Sequence, residues 1–238
     1  MEPLVVLHGW GSSAKSFERL SQYLKERGIE AFVFGLPGFG EATPPKEPWA
    51  IDDYADYVLK KLESENIGKF YLMGHSFGGR ISIKIAANHP GKLKGLILCD
   101  AAGITPRPKL KISIFAFASK IGNAVFSFSF LKPLWQLAKK FVYYMSRQRD
   151  YYYLQNEIMR ETFKKVINED LVSYLNKIKT PTLVVWGKKD KLTPVSDAYT
   201  MNMNIVGSEL VVLKNVGHSP HLEVPRELAG IIYGFMNQ

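Results

Sequence analysis

The hydrophobic residues of this chain fall into short apolar runs separated by amphipathic stretches. The runs are nearly continuous Val, Ile, Leu and Phe, which is typical of parallel strands covered on both faces. Ile51–Leu62 repeats its apolar positions with helical spacing, and Asp52 and Asp53 suit the positive end of that helix. Further helices are predicted at about 15–26, 77–88, 195–204 and 226–236. The predicted strands are Leu4–His8, Ala31–Phe34, Phe70–Gly74, Leu96–Asp100, Thr182–Gly187 and Leu210–Leu213.

This alternation of strands and helices predicts a doubly wound α/β sheet of mostly parallel strands. Residues 105–176 break the pattern, because they lack strand-like runs and read as helices interrupted by Pro108, Gly122 and Pro133. We interpret them as a helical cap inserted into a core made of residues 1–104 and 177–238. A length of 238 residues fits one domain with such an insertion, and 46% hydrophobic residues exclude a disordered chain.

The formal net charge of +9 belongs almost entirely to the predicted cap. Residues 107–150 carry nine Lys and Arg against Asp150 alone, whereas residues 1–106 have no net charge. The same segment is rich in Phe, Trp and Tyr, and Ile112–Leu131 is long enough to cross a bilayer. Placing Lys120 at the centre of a bilayer would cost roughly 2.5–3.5 kcal/mol of insertion free energy. An interfacial helix on anionic lipid is therefore favoured over a helix that spans the membrane. The plainer alternative is a cap whose aromatic side chains line a pocket and whose lysines are solvated.

Other classes of function find little support in the sequence. We expect no nucleic-acid partner, since the rest of the chain offers no matching basic stripe. The single cysteine, Cys99, excludes an internal disulfide framework and a cysteine-based zinc site. Gly35–Gly40 lacks the spacing of a dinucleotide-binding loop, so neither a metal nor a cofactor is expected. No signal peptide follows Met1, and we expect a cytoplasmic protein.

A candidate nucleophile lies between the third predicted strand and the helix that follows it. Gly74-His75-Ser76-Phe77-Gly78 has the G-x-S-x-G pattern, and its strand–turn–helix context is that of a nucleophile elbow. Such a turn exposes Ser76 above the sheet, near the positive end of the helix. A serine hydroxyl needs a base, and therefore a histidine and an acid elsewhere in the chain.

The chain offers five histidines and two well-placed acids for these roles. His218 follows the last predicted strand, at the edge of the sheet where α/β proteins bind ligands. His221 competes with it, but we prefer a structural role there, and we expect the His75 side chain to point away from Ser76. Asp100 ends one predicted strand and Asp190 lies in the turn after another, and either carboxylate could orient an imidazole.

The order Ser76…Asp190…His218 resembles that of the α/β-hydrolase family, and the resemblance covers essentially the whole chain. His8-Gly9-Trp10-Gly11 resembles the oxyanion-hole loop of that family, and Leu36–Gly40 the turn after the next strand. The resemblance favours Asp190 over Asp100 as the acid. It also implies that the backbone N–H groups of Trp10 and Phe77 form the oxyanion hole, and it places a lid where we predict the cap.

The sheet of the α/β-hydrolase family usually begins with two antiparallel strands that this sequence lacks, so we expect a shortened sheet of about six strands. Its changed edge could favour a homo-oligomer. A serine at the elbow argues against the branches that attack through aspartate. The resemblance implies a serine hydrolase. The aromatic residues of the predicted cap suggest an apolar acyl or aryl pocket, for which we expect an ester or lipid as the substrate. The alternatives are a carbon–carbon bond hydrolase acting on vinylogous diketone acids and a non-catalytic binding protein on the same fold.

Overall fold

A computed structural model describes residues 2–104 and 156–238, and its centre is a sheet of six parallel strands. The strand order is β2-β1-β3-β4-β5-β6, and every neighbouring pair is parallel. This confirms the predicted doubly wound α/β fold with about six strands. The strands are β1 (Leu4–Leu7), β2 (Ala31–Phe34), β3 (Phe70–His75), β4 (Leu93–Cys99), β5 (Thr182–Gly187) and β6 (Glu209–Leu213).

Helices connect the strands, and their bounds lie close to those predicted from the apolar spacing. Short 3-10 turns at Ala14–Phe17 and Pro90–Lys92 precede α1 and β4. The helices described are α1 (Glu18–Lys25), α2 (Ile51–Ser64), α3 (Phe77–Asn88), α4 (Glu157–Asn168), α5 (Val172–Leu175), α6 (Val195–Asn204), α7 (Pro220–Glu223) and α8 (Pro225–Met236).

Both faces of the sheet are covered, because successive side chains of a strand point to opposite sides. In β1, Val5 and Leu7 pack into a core with α2, α3 and α6. Leu4 and Val6 pack into a second core with α1 and α8. All four β1 side chains are therefore buried, which explains why the strand reads as one apolar run.

Most of the predicted cap, residues 105–155, lies outside the described residues, so its boundaries and its membrane contact stay predictions. Two described helices, α4 and α5, fall within the predicted range of 105–176. They are joined to the core, since the backbone N–H of Trp49 donates to Thr162 and that of Leu171 to Gly103. In the parts of the chain described, no helix has both the length and the apolarity needed to cross a bilayer.

Candidate active site

The three residues predicted to form a triad lie at one edge of the sheet. Ser76 follows β3, Asp190 follows β5 and His218 follows β6. All three strands run in the same direction, so their carboxyl ends meet at the same edge, where open α/β sheets bind ligands. Ser76 and His218 remain partly exposed, whereas the Asp190 side chain is completely buried.

The turn at Ser76 has the conformation of a nucleophile elbow. Ser76 has φ 51° and ψ −113°, a left-handed conformation that costs energy for a residue with a side chain. Its carbonyl oxygen accepts from the N–H groups of Gly79 and Ala102, both at 2.9 Å, and these bonds hold the strained turn. A Cβ at Gly78 would overlap the carbonyl group of Leu7, so only glycine lets the turn approach β1 so closely.

His218 and Asp190 form a direct hydrogen-bonded pair. Nδ1 of His218 lies 2.7 Å from Oδ2 of Asp190. Because a carboxylate only accepts, Nδ1 carries the proton and the other ring nitrogen, Nε2, is left to act as a base. Burial would raise the pKa of Asp190, but the hydrogen bonds from His218, Thr193 and Asp100 outweigh it and lower the pKa to about 2. Asp190 is therefore ionised at neutral pH.

Thr193, which we did not single out in the sequence, completes the surroundings of Asp190. Its hydroxyl lies 2.6 Å from Oδ2 of Asp190, and its backbone N–H donates to Oδ1 at 3.0 Å. The backbone N–H of Leu192 donates to the same Oδ1 at 2.7 Å. An Asp followed by polar Thr three residues on is the signature of a local side-chain-to-backbone turn, and that spacing could have revealed Thr193.

The rival acid, Asp100, lies beneath this pair. In the described parts of the chain it has no hydrogen bond to His218, whereas Asp190 has one. Asp100 is completely buried, its Oδ1 accepts from the backbone N–H of Gly187, and its carboxyl group lies within 4.8 Å of that of Asp190. The structure thus brings both candidate acids together but places only Asp190 against the imidazole.

Two more histidines pack behind His218. The ring of His75 is hydrogen-bonded through Nε2 to the backbone carbonyl oxygen of His218 at 2.7 Å. His221 is buried between rings, stacked on Phe17 at 4.1 Å and 4.5 Å from His75. Burial is the main cause that lowers the pKa of both His75 and His221, so both rings are neutral at pH 7. The structural role of His221 stays a prediction.

The predicted oxyanion donors border an aromatic cluster. Within residues 2–104 and 156–238, the backbone N–H groups of Trp10 and Phe77 donate to no acceptor, so both remain available to a ligand. The Trp10 ring packs edge-on against three phenylalanines, Phe39, Phe77 and Phe163, at centroid distances of 4.7, 5.2 and 4.9 Å. Phe77 directly follows Ser76 in the chain, so this largely buried aromatic cluster adjoins the elbow.

Among the described residues, one group of three potential metal ligands lies together. Oxygen or nitrogen atoms of Asp100, Asp190 and His218 are within 4.8 Å of one another. The hydrogen bond between His218 and Asp190 accounts for the proximity of these two groups. Because Nδ1 of His218 carries the proton of that bond, it has no lone pair to offer a metal ion. We therefore assign no ion to this group.

The elbow, the His–Asp pair and the six-stranded sheet define an α/β hydrolase, and the chain belongs to this family. The model of the alpha/beta hydrolase fold matches residues 2–225. The AB hydrolase superfamily protein YisY of Bacillus subtilis (strain 168) is 29% identical over 99% of this chain and 91% of its own length.

Two further relatives carry names that describe an activity. Lipase 1 of Psychrobacter immobilis is 25% identical over 96% of this chain and 74% of its own length. A 2-hydroxy-6-oxononadienedioate/2-hydroxy-6-oxononatrienedioate hydrolase of Escherichia coli O139:H28 is 27% identical over 91% of this chain and 81% of its own length. Among solved structures, an esterase from Exiguobacterium antarcticum shares the fold with a TM-score of 0.75, at 24% identity over 100% of this chain and 92% of that one.

Proposed function

We propose that this protein is a serine hydrolase that cleaves carboxylic esters through a Ser76–His218–Asp190 triad. The observation that carries the proposal is the 2.7 Å hydrogen bond between His218 and Asp190 at the same sheet edge as the strained Ser76 turn. Lipase 1 supports the ester as the substrate class, because it is named for that activity.

In the proposed mechanism, Ser76 Oγ attacks the ester carbonyl carbon while Nε2 of His218 accepts the hydroxyl proton. Asp190 holds the imidazole in the reactive tautomer and stabilises the imidazolium that forms. The backbone N–H groups of Trp10 and Phe77 donate to the oxyanion, and losing one such donor typically costs about 10²–10³ in rate. His218 then returns the proton to the alcohol that leaves.

The second half of the reaction uses the same groups on water. His218 takes a proton from a water molecule while the water oxygen attacks the carbonyl carbon of the acyl-serine. When the resulting tetrahedral intermediate collapses, His218 returns the proton to Ser76 Oγ, and the carboxylic acid is released. The cluster of Trp10, Phe39, Phe77 and Phe163 beside the site supports an apolar acyl or aryl group in the substrate.

The test combines covalent labelling with turnover. A fluorophosphonate should label the wild type, and p-nitrophenyl butyrate should be hydrolysed; Ser76→Ala should lose both. Ser64→Ala, a serine exposed near the end of α2, serves as the matched control and should behave as the wild type. Hydrolysis by Ser76→Ala at the wild-type rate would exclude the triad.

A second candidate is hydrolysis of a carbon–carbon bond in a vinylogous diketone acid. The observation that favours it is the 27% identity to the Escherichia coli hydrolase named for such compounds. Turnover of a dienoic diketone acid, with no turnover of a series of esters of increasing acyl length, would support this function over ester hydrolysis.

A further inference from the structure

Asp100 is a completely buried acid that the proposed mechanism does not use. It follows β4 directly, with φ 42°, a conformation that is uncommon for a residue with a side chain. Its backbone is held in place, since its N–H donates to the carbonyl oxygen of Val185 at 3.0 Å and its own carbonyl oxygen lies 3.1 Å from the hydroxyl oxygen of Thr193. The side chain therefore has a defined position beneath Asp190.

The groups that face the Asp100 carboxyl come from every element around it. The thiol of Cys99 lies 3.8 Å from Oδ2, the N–H of Gly187 donates to Oδ1 at 3.0 Å, and Asp190 and His218 approach within 4.8 Å. In the described parts of the chain, no lysine or arginine pairs with Asp100. Two neighbouring carboxyls without a cation between them share a proton, because both cannot ionise cheaply.

The hydrogen bonds decide which of the two acids keeps that proton. Asp190 accepts from the N–H groups of Leu192 and Thr193 and from the side chains of Thr193 and His218. Asp100 accepts one backbone N–H, that of Gly187, and the weak S–H donor of Cys99. The negative charge is better stabilised on Asp190, so Asp100 is the acid that keeps the proton.

We propose that Asp100 is a positioning residue of the site: a neutral carboxylic acid whose hydroxyl donates to Asp190 and keeps that carboxylate directed at His218. This inference rests on the proposed triad, because it assigns a role through Asp190. Burial, together with the hydrogen bond to Asp190, raises the pKa of Asp100 to about 9. The donor is therefore present at neutral pH and is lost in alkaline solution.

Ionisation of Asp100 removes the hydrogen bond and sets a second negative charge against Asp190. The wild-type kcat should therefore fall about 5-fold or more between pH 8 and pH 10.5, with a midpoint near 9 and little change in KM. Asp100→Asn keeps both contacts, since its amide oxygen accepts from Gly187 and its amide nitrogen donates to Asp190. This variant should stay within about 3-fold of the wild type at pH 7.5 and should not show the decline near pH 9.

Asp100→Ala tests the donor separately from the charge, because it is neutral and cannot donate. Its kcat at pH 7.5 should be about 10-fold below that of Asp100→Asn, with KM within 2-fold. Asp56→Asn is the control, since Asp56 is an exposed acid on α2, and it should retain the wild-type pH profile. An Asp100→Asn profile that declines as the wild type does, or an Asp100→Ala variant as active as Asp100→Asn, would overturn the inference.

A measurement that does not depend on turnover separates this inference from the proposed function. In the ¹⁵N NMR spectrum of the histidine rings, the His218 signal of the wild type should show an inflection near pH 9 that is missing in Asp100→Asn. If Ser76 fails to label with a fluorophosphonate while this inflection is present, the triad function fails and the hydrogen bond stands. If Ser76 labels and the inflection is the same in both proteins, the role of Asp100 is refuted alone.

Discussion

His75 donates its Nε2–H to the backbone carbonyl oxygen of His218 at 2.7 Å, so the residue before the proposed nucleophile holds the loop of the proposed base. The carbonyl can only accept, which fixes the proton of the His75 ring on Nε2. His75 therefore contacts both the proposed nucleophile and the proposed base: it precedes Ser76 in the chain, and its ring is hydrogen-bonded to the backbone of His218.

His75→Phe should lower kcat for ester hydrolysis by about 2- to 10-fold, the equivalent of one neutral hydrogen bond, and leave KM unchanged. The phenylalanine fills the same space but cannot donate to the His218 loop. His75→Gln can restore a side-chain N–H and should recover part of the loss. Equal losses of kcat in both variants, measured by steady-state kinetics, would argue that ring packing and not the hydrogen bond matters.

Asp190→Asn should reduce kcat by about 10⁴ while KM changes little, because an amide cannot hold the imidazole in the reactive tautomer. The comparison is Asp56→Asn, which makes the same change at an exposed acid on α2. If Asp190→Asn retains a tenth or more of the wild-type kcat, Asp190 is not the acid of the triad.

Thr193→Val should lower kcat about 10-fold, since it removes the hydroxyl that donates to Oδ2 of Asp190 at 2.6 Å and preserves the shape of the side chain. Thr193→Ser keeps the hydroxyl and should remain close to the wild type. The reverse ranking of the two variants would show that the methyl group, not the hydrogen bond, is what the site requires.

Gly78→Ala should destabilise the protein by about 1–3 kcal/mol in urea unfolding, because the new methyl group meets the backbone of Leu7 and neither side can move easily. Gly230→Ala is the matched control in α8, where a Cβ meets no atom within 4 Å. It should be neutral or stabilising by about 0.5–1 kcal/mol. Similar stabilities for the two variants would contradict the close approach of the elbow to β1.

Acid should destabilise the fold through the buried histidine His221. Burial, with repulsion from His218, lowers the pKa of His221 to about 4, below its usual 6.5. Between those two values the unfolded chain binds the proton more tightly, so stability present above pH 6.5 is lost as the pH falls towards 4. His221→Phe should retain up to about 3 kcal/mol more of its pH 7 stability at pH 4 than the wild type does.

His89→Gln, which removes an exposed histidine at the end of α3, controls for the change in histidine number and should follow the wild type. Parallel curves of unfolding free energy against pH for the wild type and His221→Phe would show that His221 is not the acid-sensitive group.

The strands were predictable from the sequence because the sheet is covered on both faces, so that most of each strand is a run of apolar residues. The bounds of β5 agree with the prediction to the residue, whereas β4 begins at Leu93, three residues earlier than expected, across the polar Lys94. Pairing of Leu93 with Phe70 supports that extension, and such long-range pairing leaves no local signal.

The three proposed catalytic residues were predictable because each belongs to a short local motif. The roles of Asp100 and His75 were not, because they depend on contacts between loops far apart in the chain. The bond from His75 reaches across 143 residues, and the one from Gly187 to Asp100 across 87. Spacing within one strand or turn carries no information about such contacts.

The sheet joins two stretches of chain, with β4 on one side and β5 on the other. Ser76, Trp10 and Phe77 belong to the first stretch, whereas Asp190 and His218 belong to the second. Under the proposed mechanism, a ribosome-bound chain that has folded only its first stretch holds a nucleophile with no base to activate it. Hydrolytic activity would then arise only after β5 has docked on β4 and β6 on β5, because His218 follows β6. The rate at which Ser76 becomes reactive would therefore report the rate of these last steps of sheet assembly.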